Sequence, residues 1–253
     1  MHSTDFGVLY LVDDNPAYRR MLDVSIQSLK RFHPDWPIHV VEVPSPPVGI
    51  ARHIYRKFSF WKMAKRRARA GQDVRVIGDK IATMLGSPFQ STLYLDVDTV
   101  VMRPLTEMHA RASQSDVLVT PLPWKHYSRV EAWQPASWPY MMAGVIFFGE
   151  RFKNIYRQYQ LRLNHSLSRL PTQDQFVFSL ACHNERGRMT VAEAPRFQVD
   201  VLNVDHHLGN TVKRNRDGCI DIREERLQEF HVFHYNDHKP SYLKQIEAVW
   251  GLS

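Results

Sequence analysis

Apolar and polar residues follow two alternating spacings along this chain. Short apolar runs predict buried strands, at residues 6–12, 38–43, 74–77, 91–95, 116–120, 145–148 and 230–233. Between them, apolar residues recur every three or four positions and predict helices, at residues 16–32, 52–70, 79–85, 105–112, 151–167, 173–182 and 241–250. Strands that alternate with helices predict an α/β fold, with a mostly parallel sheet and helices on both faces.

The length and composition fit one globular domain. The chain has 253 residues, of which 43% are hydrophobic and 23% charged. No apolar run approaches the roughly 18 residues needed to span a bilayer, and the first residues lack a signal-peptide pattern. We therefore expect a soluble, cytoplasmic protein. Its two cysteines, Cys182 and Cys219, are too few for a disulfide framework, which predicts reduced thiols.

The net charge of +7 is partly concentrated in residues 52–69, which carry eight lysines and arginines. These side chains cannot all share one helix face, so a solvated basic helix is the plain interpretation. The functional alternatives are that these basic residues bind an acidic acceptor or make peripheral contact with an anionic membrane surface. Nucleic acid is not an expected partner, because no recognised nucleic-acid motif accompanies the basic residues.

Two acidic pairs directly follow predicted strands. Asp13 and Asp14 follow the first strand, while Asp96 and Asp98 follow the strand 91–95. Ligands of open α/β sheets bind beyond the carboxyl ends of the strands. In a continuing strand, positions 96 and 98 point to the same side, so both carboxylates can reach one Mg²⁺ or Mn²⁺ ion. The alternative is a pair of surface aspartates in a turn, since two acids at this spacing are a weak signal alone.

The chain resembles glycosyltransferase family 8, which includes glycogenin and bacterial lipopolysaccharide galactosyltransferases. Five segments match in the family's order, namely residues 11–18, Lys80, residues 94–101, residues 141–148 and residues 173–175. The resemblance implies a GT-A fold, a single Rossmann-like domain. It also implies a retaining transfer of a hexose from a nucleotide-diphosphate sugar, with UDP as the expected nucleotide and Mn²⁺ or Mg²⁺ as the cofactor.

The resemblance also implies a role for each matched residue. The nucleotide-sugar would contact Val12, Asp13, Asp14, Tyr18, Lys80, Asp96, Val97, Asp98, Ala143, Gly144 and Lys239. Within that set Tyr18 stacks on the base, and the backbone at Ala143 and Gly144 lies against the sugar. Asp174 and Gln175 would hold the donor sugar and line the reaction centre. Plainer alternatives exist: Tyr18 could be an ordinary helix aromatic, Lys80 a solvated lysine, and Asp174 a carboxylate in a helix first turn.

The third metal ligand is where the chain departs most from the family pattern. The family ends with a metal-binding histidine in H-x-x-G-x-x-K-P. Here His234 is followed by Lys239 and Pro240, one residue too early and without the glycine. His231 is therefore an alternative to His234. Met142, where the family has asparagine, is a second departure.

The sequence thus predicts a metal-dependent glycosyltransferase that acts on a carbohydrate or glycoconjugate acceptor. Residues 1–120 would form the nucleotide-binding half, and residues 121–253 the half that binds the acceptor and completes the metal site. One alternative is an inverting transferase with Asp174 as the base. A nucleotidylyltransferase is less favoured, because residues 13–16 are not a glycine-rich basic loop. The third alternative is a non-catalytic nucleotide-sugar-binding or carbohydrate-binding protein.

Overall fold

The computed structural model describes residues 5–43, 78–122, 140–166, 174–195, 197–200, 212–214, 220–222, 230–235, 244, 247–248 and 251. The helices are α1 (Pro16–Lys30), α2 (Gly78–Leu85), α3 (Thr106–Ala112), α4 (Glu150–Ser166) and α5 (Asp174–Asn184). The longer strands are β1 (Phe6–Asp13), β2 (Ile38–Val43), β3 (Ser91–Leu95) and β8 (Val145–Gly149). The shorter strands are β4 (Thr99–Val101), β5 (Val117–Val119), β6 (Pro121–Leu122), β7 (Tyr140–Met141), β9 (Val191–Glu193), β10 (Gln198–Asp200), β11 (Val212–Arg214), β12 (Ile220–Ile222) and β13 (Val232–His234).

Six strands form the central sheet, in the order β2-β1-β3-β8-β5-β9. Strand β1 runs parallel to both of its neighbours, and its Tyr10 lies level with Val40 and Leu95. Strand β8 is antiparallel to β3 and to β5, while β5 and β9 are parallel. Five strands therefore run in one direction and β8 in the other, so the predicted mostly parallel sheet is confirmed.

Helices cover both faces of this sheet, because neighbouring residues of each buried strand point to opposite sides. On one face, Leu9 and Tyr94 pack in a core with side chains of α2, α4 and α5. On the other, Tyr10 and Leu95 pack in a core with side chains of α1 and α3. The predicted layers are thus confirmed.

Helix α1 shows how local sequence sets the start of an element. The Asn15 side chain accepts a hydrogen bond from the backbone N–H of Ala17 at 3.0 Å, and Pro16 occupies the first helical turn. Proline lacks the N–H that would be unpaired at that position. The helix therefore begins directly after β1, which keeps the loop at the carboxyl end of β1 short.

A second sheet has the strand order β10-β13-β4. Strand β13 lies antiparallel to β4, with His234 opposite Thr99 and Val232 opposite Val101. The sequence predicted a strand at residues 230–233, close to the observed β13. Strands β4, β9 and β10 were not predicted from the sequence.

Several predicted features lie outside the described residues. They are the basic helix at 52–70, the strand at 74–77, the proline-rich and aromatic stretch 123–139 and Lys239. Of the predicted terminal helix, the structure describes positions 244, 247 and 248, which are helical. The division into halves at residue 120 stays a prediction. Within the described part of the chain, the helices are too short or too polar to cross a membrane.

Candidate metal centre

Two carboxylates and one imidazole converge where β3 ends. Asp96, Asp98 and His234 each offer one ligand atom, and these atoms lie within 4.8 Å of one another. The Nε2 atom of His234 is 3.0 Å from Asp98 Oδ1 and 3.8 Å from Asp96 Oδ2. Three side chains separated by up to 138 positions in sequence therefore meet at one point.

The route by which the two acids come together differs from the sequence expectation. Strand β3 ends at Leu95, and residues 96–98 form a turn before β4, so the acids do not lie on a continuing strand. The Thr99 hydroxyl donates to the carbonyl oxygen of Asp96 at 2.7 Å, which closes this turn. The carboxylates thus meet through a turn rather than through the alternation of a strand.

The pairing of β13 with β4 decides which histidine reaches the acids. His234 lies opposite Thr99, and the next residue, Tyr235, donates its backbone N–H to the carbonyl of Asp98 at 3.0 Å. His231 lies beyond the other end of β13, where its Nδ1 is 2.9 Å from the carbonyl oxygen of Pro104. The structure therefore brings His234, and not His231, to the two carboxylates.

Asp96 is held on several sides. Its backbone N–H donates to the carbonyl of Gly144 at 2.8 Å. The hydroxyl of Tyr94 donates to Oδ1 at 2.7 Å, and Nζ of Lys80 donates to Oδ2 at 2.9 Å. A carboxylate has about four lone-pair positions, so these two donors leave room for a cation on the same group. Lys80 and Gly144, to which the family 8 resemblance pointed, thus both contact Asp96.

A buried series of hydrogen-bonded hydroxyl groups, called here the hydroxyl chain, leads from β1 to this turn. The Tyr10 hydroxyl lies 3.2 Å from that of Ser25, which lies 3.0 Å from that of Thr99, the donor to the Asp96 carbonyl. Ser25, on α1, is fully buried. Sequence reasoning missed this chain. The available signal was the pair of serines, Ser25 and Ser28, on the otherwise apolar buried face of α1.

The electrostatics of the cluster favour a bound cation. Burial raises the pKa of the Asp96 carboxyl, and the nearby Lys80 and His234 only partly oppose that rise. Burial also disfavours the charged form of Asp98, but the charge and hydrogen bond of His234, a backbone hydrogen bond and the charge of Lys80 together outweigh burial and lower its pKa. Two carboxylates in partly buried surroundings are costly to keep charged without a counter-charge. Two oxygen ligands and one nitrogen could hold a divalent metal ion.

The predicted base-binding residues lie at the carboxyl end of β1. Because Tyr10 is level with Leu95, Val12 and Asp13 extend beside the acidic turn. Val12 is buried, and the Asp13 carboxylate accepts a hydrogen bond from the backbone N–H of Asn15 at 3.0 Å. Asp14 is exposed. Asp13 thus shapes the loop that precedes α1.

Tyr18 and Val97 contribute to the core on the α1 side of the sheet. Both side chains are half-buried and pack against that core. Tyr18 lies one turn into α1, close in sequence to the β1 loop. A half-buried ring keeps an exposed part for contact with a ligand.

The segment before β8 is fixed by backbone hydrogen bonds. Met142 donates its N–H to the carbonyl of Thr120 at 2.9 Å, and its side chain is buried in the core with Ala143. Met141 donates its N–H to the Ser179 hydroxyl of α5 at 2.8 Å. Met142, in the position of the family's asparagine, is thus a core residue.

Helix α5 begins at Asp174, followed by Gln175. The bond between Ser179 and Met141 holds this helix next to the segment that carries Gly144. The side chains of Asp174 and Gln175 lie outside the described part of the structure. Their roles, like that of Lys239, stay predictions.

Comparison with solved structures gives the fold family. An active-site mutant of LgtC matches with a TM-score of 0.54 and 16% identity, over 97% of this chain and 95% of that one. The galactosyltransferase LgtC in complex with donor and acceptor sugar analogues matches with a TM-score of 0.53 and 14% identity, over the same shares. Mouse xyloside xylosyltransferase 1 matches with a TM-score of 0.52 and 12% identity, over 94% of this chain and 99% of that one.

The chain has a GT-A glycosyltransferase fold. The neighbours cover nearly the whole chain, so the fold predicted from the family 8 resemblance is confirmed. No protein-family profile matches the sequence, and no curated protein matches it significantly. The sequences of these neighbours are only 12–16% identical to this chain, so the shared GT-A fold is recognised from the structure.

Proposed function

We propose that this protein is a metal-dependent glycosyltransferase that moves a hexose from a nucleotide-diphosphate sugar to a carbohydrate or glycoconjugate acceptor. The observation that carries the proposal is the cluster of Asp96, Asp98 and His234 within a GT-A fold. The donor is a UDP-sugar, and the transfer retains the anomeric configuration, as the family 8 resemblance implies. The cofactor is Mn²⁺ or Mg²⁺.

The donor set suits the chemistry of a leaving diphosphate. A divalent ion on the two aspartates and His234 would bind the diphosphate oxygens and offset the charge that develops as the sugar leaves. Lys80, 2.9 Å from Asp96, adds a second positive charge beside that position. Three protein ligands leave coordination positions open for substrate oxygens.

The surrounding residues divide between nucleotide and sugar. Val12, Asp13 and Tyr18 contact the base at the end of β1, and Asp14 lies at the same loop. The backbone of Ala143 and Gly144 contacts the donor sugar; the hydrogen bond from the Asp96 N–H to the Gly144 carbonyl, which holds this segment beside the acidic turn, supports that role. Asp174 and Gln175, at the start of α5, hold the sugar and line the reaction centre. Lys239 binds a phosphate.

A panel of nucleotide-sugars tests this function. The purified chain is mixed with each donor, with Mn²⁺ or with EDTA, and scored for sugar release and for thermal shift. We expect one or more UDP-sugars to raise the melting temperature and to be hydrolysed with metal only. Asp98→Asn removes the metal-dependent signal. Asp23→Asn, which changes an exposed aspartate of α1, is the matched control and retains the metal-dependent signal.

The same panel separates the alternatives. A donor that shifts the melting temperature without being consumed, even with acceptors present, indicates a binding protein. The anomeric configuration of the product, read by NMR, distinguishes retention from inversion. The proposal fails if no nucleotide-sugar changes the melting temperature either with or without metal.

A further inference from the structure

A cavity lies away from the acidic turn. It has a volume of about 410 Å³ and is lined by Arg103, Glu107, Met108, Arg111, Ala194, Pro195, Phe197 and His231. His231 directly precedes β13 and lies three residues before His234, which corresponds to about 10 Å of extended chain. The cavity is thus separate from the metal centre and shares no residue with it. Its volume lies within the range of small-molecule sites.

The rim of the cavity offers two permanent cations. Arg103 lies between β4 and α3, Arg111 lies in the last turn of α3, and both side chains are exposed. One guanidinium nitrogen of Arg111 donates to the backbone carbonyl of Glu193 at 3.0 Å, which fixes the position of that group. A guanidinium group has five donors in a planar fork that fits phosphate and carboxylate. This rim therefore suits an anion.

The rim also offers acceptors. A carbonyl oxygen can only accept, so Nδ1 of His231 carries the proton in its 2.9 Å bond to the Pro104 carbonyl. Burial lowers the pKa of His231, which keeps the ring neutral and leaves Nε2 as an acceptor. Glu107, an exposed carboxylate on α3, is a second acceptor. Acceptors beside two arginines suit a ligand that carries hydroxyl groups as well as negative charge.

The floor of the cavity is apolar. The exposed Pro195 and the small exposed part of Met108 provide its apolar surface, while the lining residues Ala194 and Phe197 are buried in the core under α3. Such a surface fits the C–H face of a sugar ring, which is apolar on one side while its hydroxyl groups point outward. The positive charges, the hydrogen-bond acceptors and the apolar surface of the cavity therefore fit the same kind of ligand.

We propose that this cavity binds an anionic carbohydrate, independently of the donor and of the metal. Two sources share that chemistry: a free sugar phosphate, and a sugar acid that forms part of a longer glycan. Arg103 and Arg111 bind the anionic group, Glu107 and His231 accept from hydroxyl groups, and the ring lies on Met108 and Pro195.

Calorimetric titration of the full chain in EDTA tests the proposal with glucose 1-phosphate, glucuronic acid and glucose. We expect at least one of the two anions to bind, and neutral glucose to bind about tenfold more weakly or not at all, since hydrogen bonds to charged groups are among the stronger ones. Tighter binding of glucose 1-phosphate indicates a free sugar phosphate, and tighter binding of glucuronic acid indicates a glycan acid. Arg103→Met and Arg111→Met, each checked by thermal melting, should both weaken the anion about tenfold.

Two controls locate the binding. Arg151→Met removes an arginine that does not line the cavity and should leave the affinity unchanged. Asp98→Asn disables the proposed metal centre and should also leave it unchanged, so this result does not depend on whether the transferase function is correct. The proposal is overturned if neither anion binds, if glucose binds equally well, if neither arginine variant weakens binding, or if Asp98→Asn abolishes it.

Discussion

Nζ of Lys80 lies 2.9 Å from Oδ2 of Asp96, so a lysine of α2 forms an ion pair with one of the proposed metal ligands. Both side chains are mostly shielded from water, with 15% and 23% of their surface exposed. The ammonium group neutralises part of the charge of the two aspartates. A metal ion at the same carboxylates would lie close to this positive charge and be repelled by it.

Replacing Lys80 by Met should therefore separate metal binding from donor binding. Without metal, we expect the free energy of unfolding to fall by about 1–3 kcal/mol, because Asp96 loses a charged hydrogen bond. Mn²⁺ alone should bind at least as tightly as to the wild type, since the repelling charge is gone, whereas UDP-sugar affinity should fall. Urea denaturation and calorimetric titration measure these quantities. Lys30→Met, at an exposed position, is the control; weaker binding of Mn²⁺ alone to the Lys80 variant would contradict this account.

The two histidines of the 231–235 segment should behave differently toward metal. His234→Ala removes a proposed ligand, and we expect Mn²⁺ affinity to fall by about 100-fold or more. Loss of a residue that only supports a ligand already lowers metal affinity by about 10- to 100-fold, and loss of the ligand itself should lower it at least as much. His231→Ala should keep the wild-type affinity, because its ring is bonded to the Pro104 carbonyl rather than to the acids. Titration with Mn²⁺, followed by electron paramagnetic resonance, gives both values. Equal losses in the two variants would argue against the assignment of His234.

The buried hydroxyl chain should contribute to stability and to metal binding together. Thr99→Val leaves the Asp96 carbonyl without its Thr99 donor and the Ser25 hydroxyl with Tyr10 as its remaining partner in the chain, which we expect to cost about 1–3 kcal/mol in urea denaturation. The same variant should bind Mn²⁺ more weakly, because the turn between the two aspartates is no longer closed. Ser113→Ala removes an exposed hydroxyl bonded within α3's last turn and should change stability by less than about 0.5 kcal/mol. Unchanged Mn²⁺ affinity in Thr99→Val would mean that the chain only stabilises the fold.

Stability should fall under mildly acidic conditions, in part because of His33. The backbone N–H of Leu105 donates to Nε2 of His33 at 2.7 Å, so that nitrogen must be unprotonated. Burial, and then the nearby His109, lower the pKa of His33 in the folded state. The unfolded chain, with an ordinary histidine pKa near 6.5, then binds more protons than the folded chain as the pH falls below about 6.5.

The free energy of unfolding should therefore be highest above about pH 6.5 and decrease as the pH falls through that value toward the lower folded pKa. His33→Gln keeps an acceptor for the Leu105 N–H but cannot titrate, so we expect a shallower decrease. Urea denaturation at several pH values between about 5 and 7.5 measures the slope. Equal slopes for the wild type and the variant would show that His33 contributes nothing to the pH dependence.

The parts of the fold that the sequence predicted are those where several residues repeat the same signal. The runs 6–12, 38–43 and 91–95 match β1, β2 and β3 within one residue, because each is a sheet strand whose residues are mainly apolar. Pro16 marked the start of α1 for a local steric reason. The antiparallel direction of β8 was not predictable, since direction depends on how the whole chain is connected and not on the composition of the strand.

The candidate site divides in the same way. Spacing within one segment pointed to Asp96 and Asp98, and the family 8 resemblance pointed to Lys80 and Gly144, which do contact the turn. The choice between His231 and His234 required the pairing of β13 with β4, a contact between distant segments. Because the histidine motif of this chain is one residue shorter than the family pattern, the sequence alone does not show which histidine lies opposite Thr99. The cavity near Arg103 has residues from three separate segments and no motif at all.

Strand β13 supplies His234, which follows Asp98 by 136 positions, so the ribosome adds the histidine long after both aspartates. During synthesis, the central strands β1 and β3 can emerge and pair well before residue 234 leaves the ribosome. A chain that ends before β13 therefore lacks the histidine, and its acidic turn offers a metal ion two carboxylates alone.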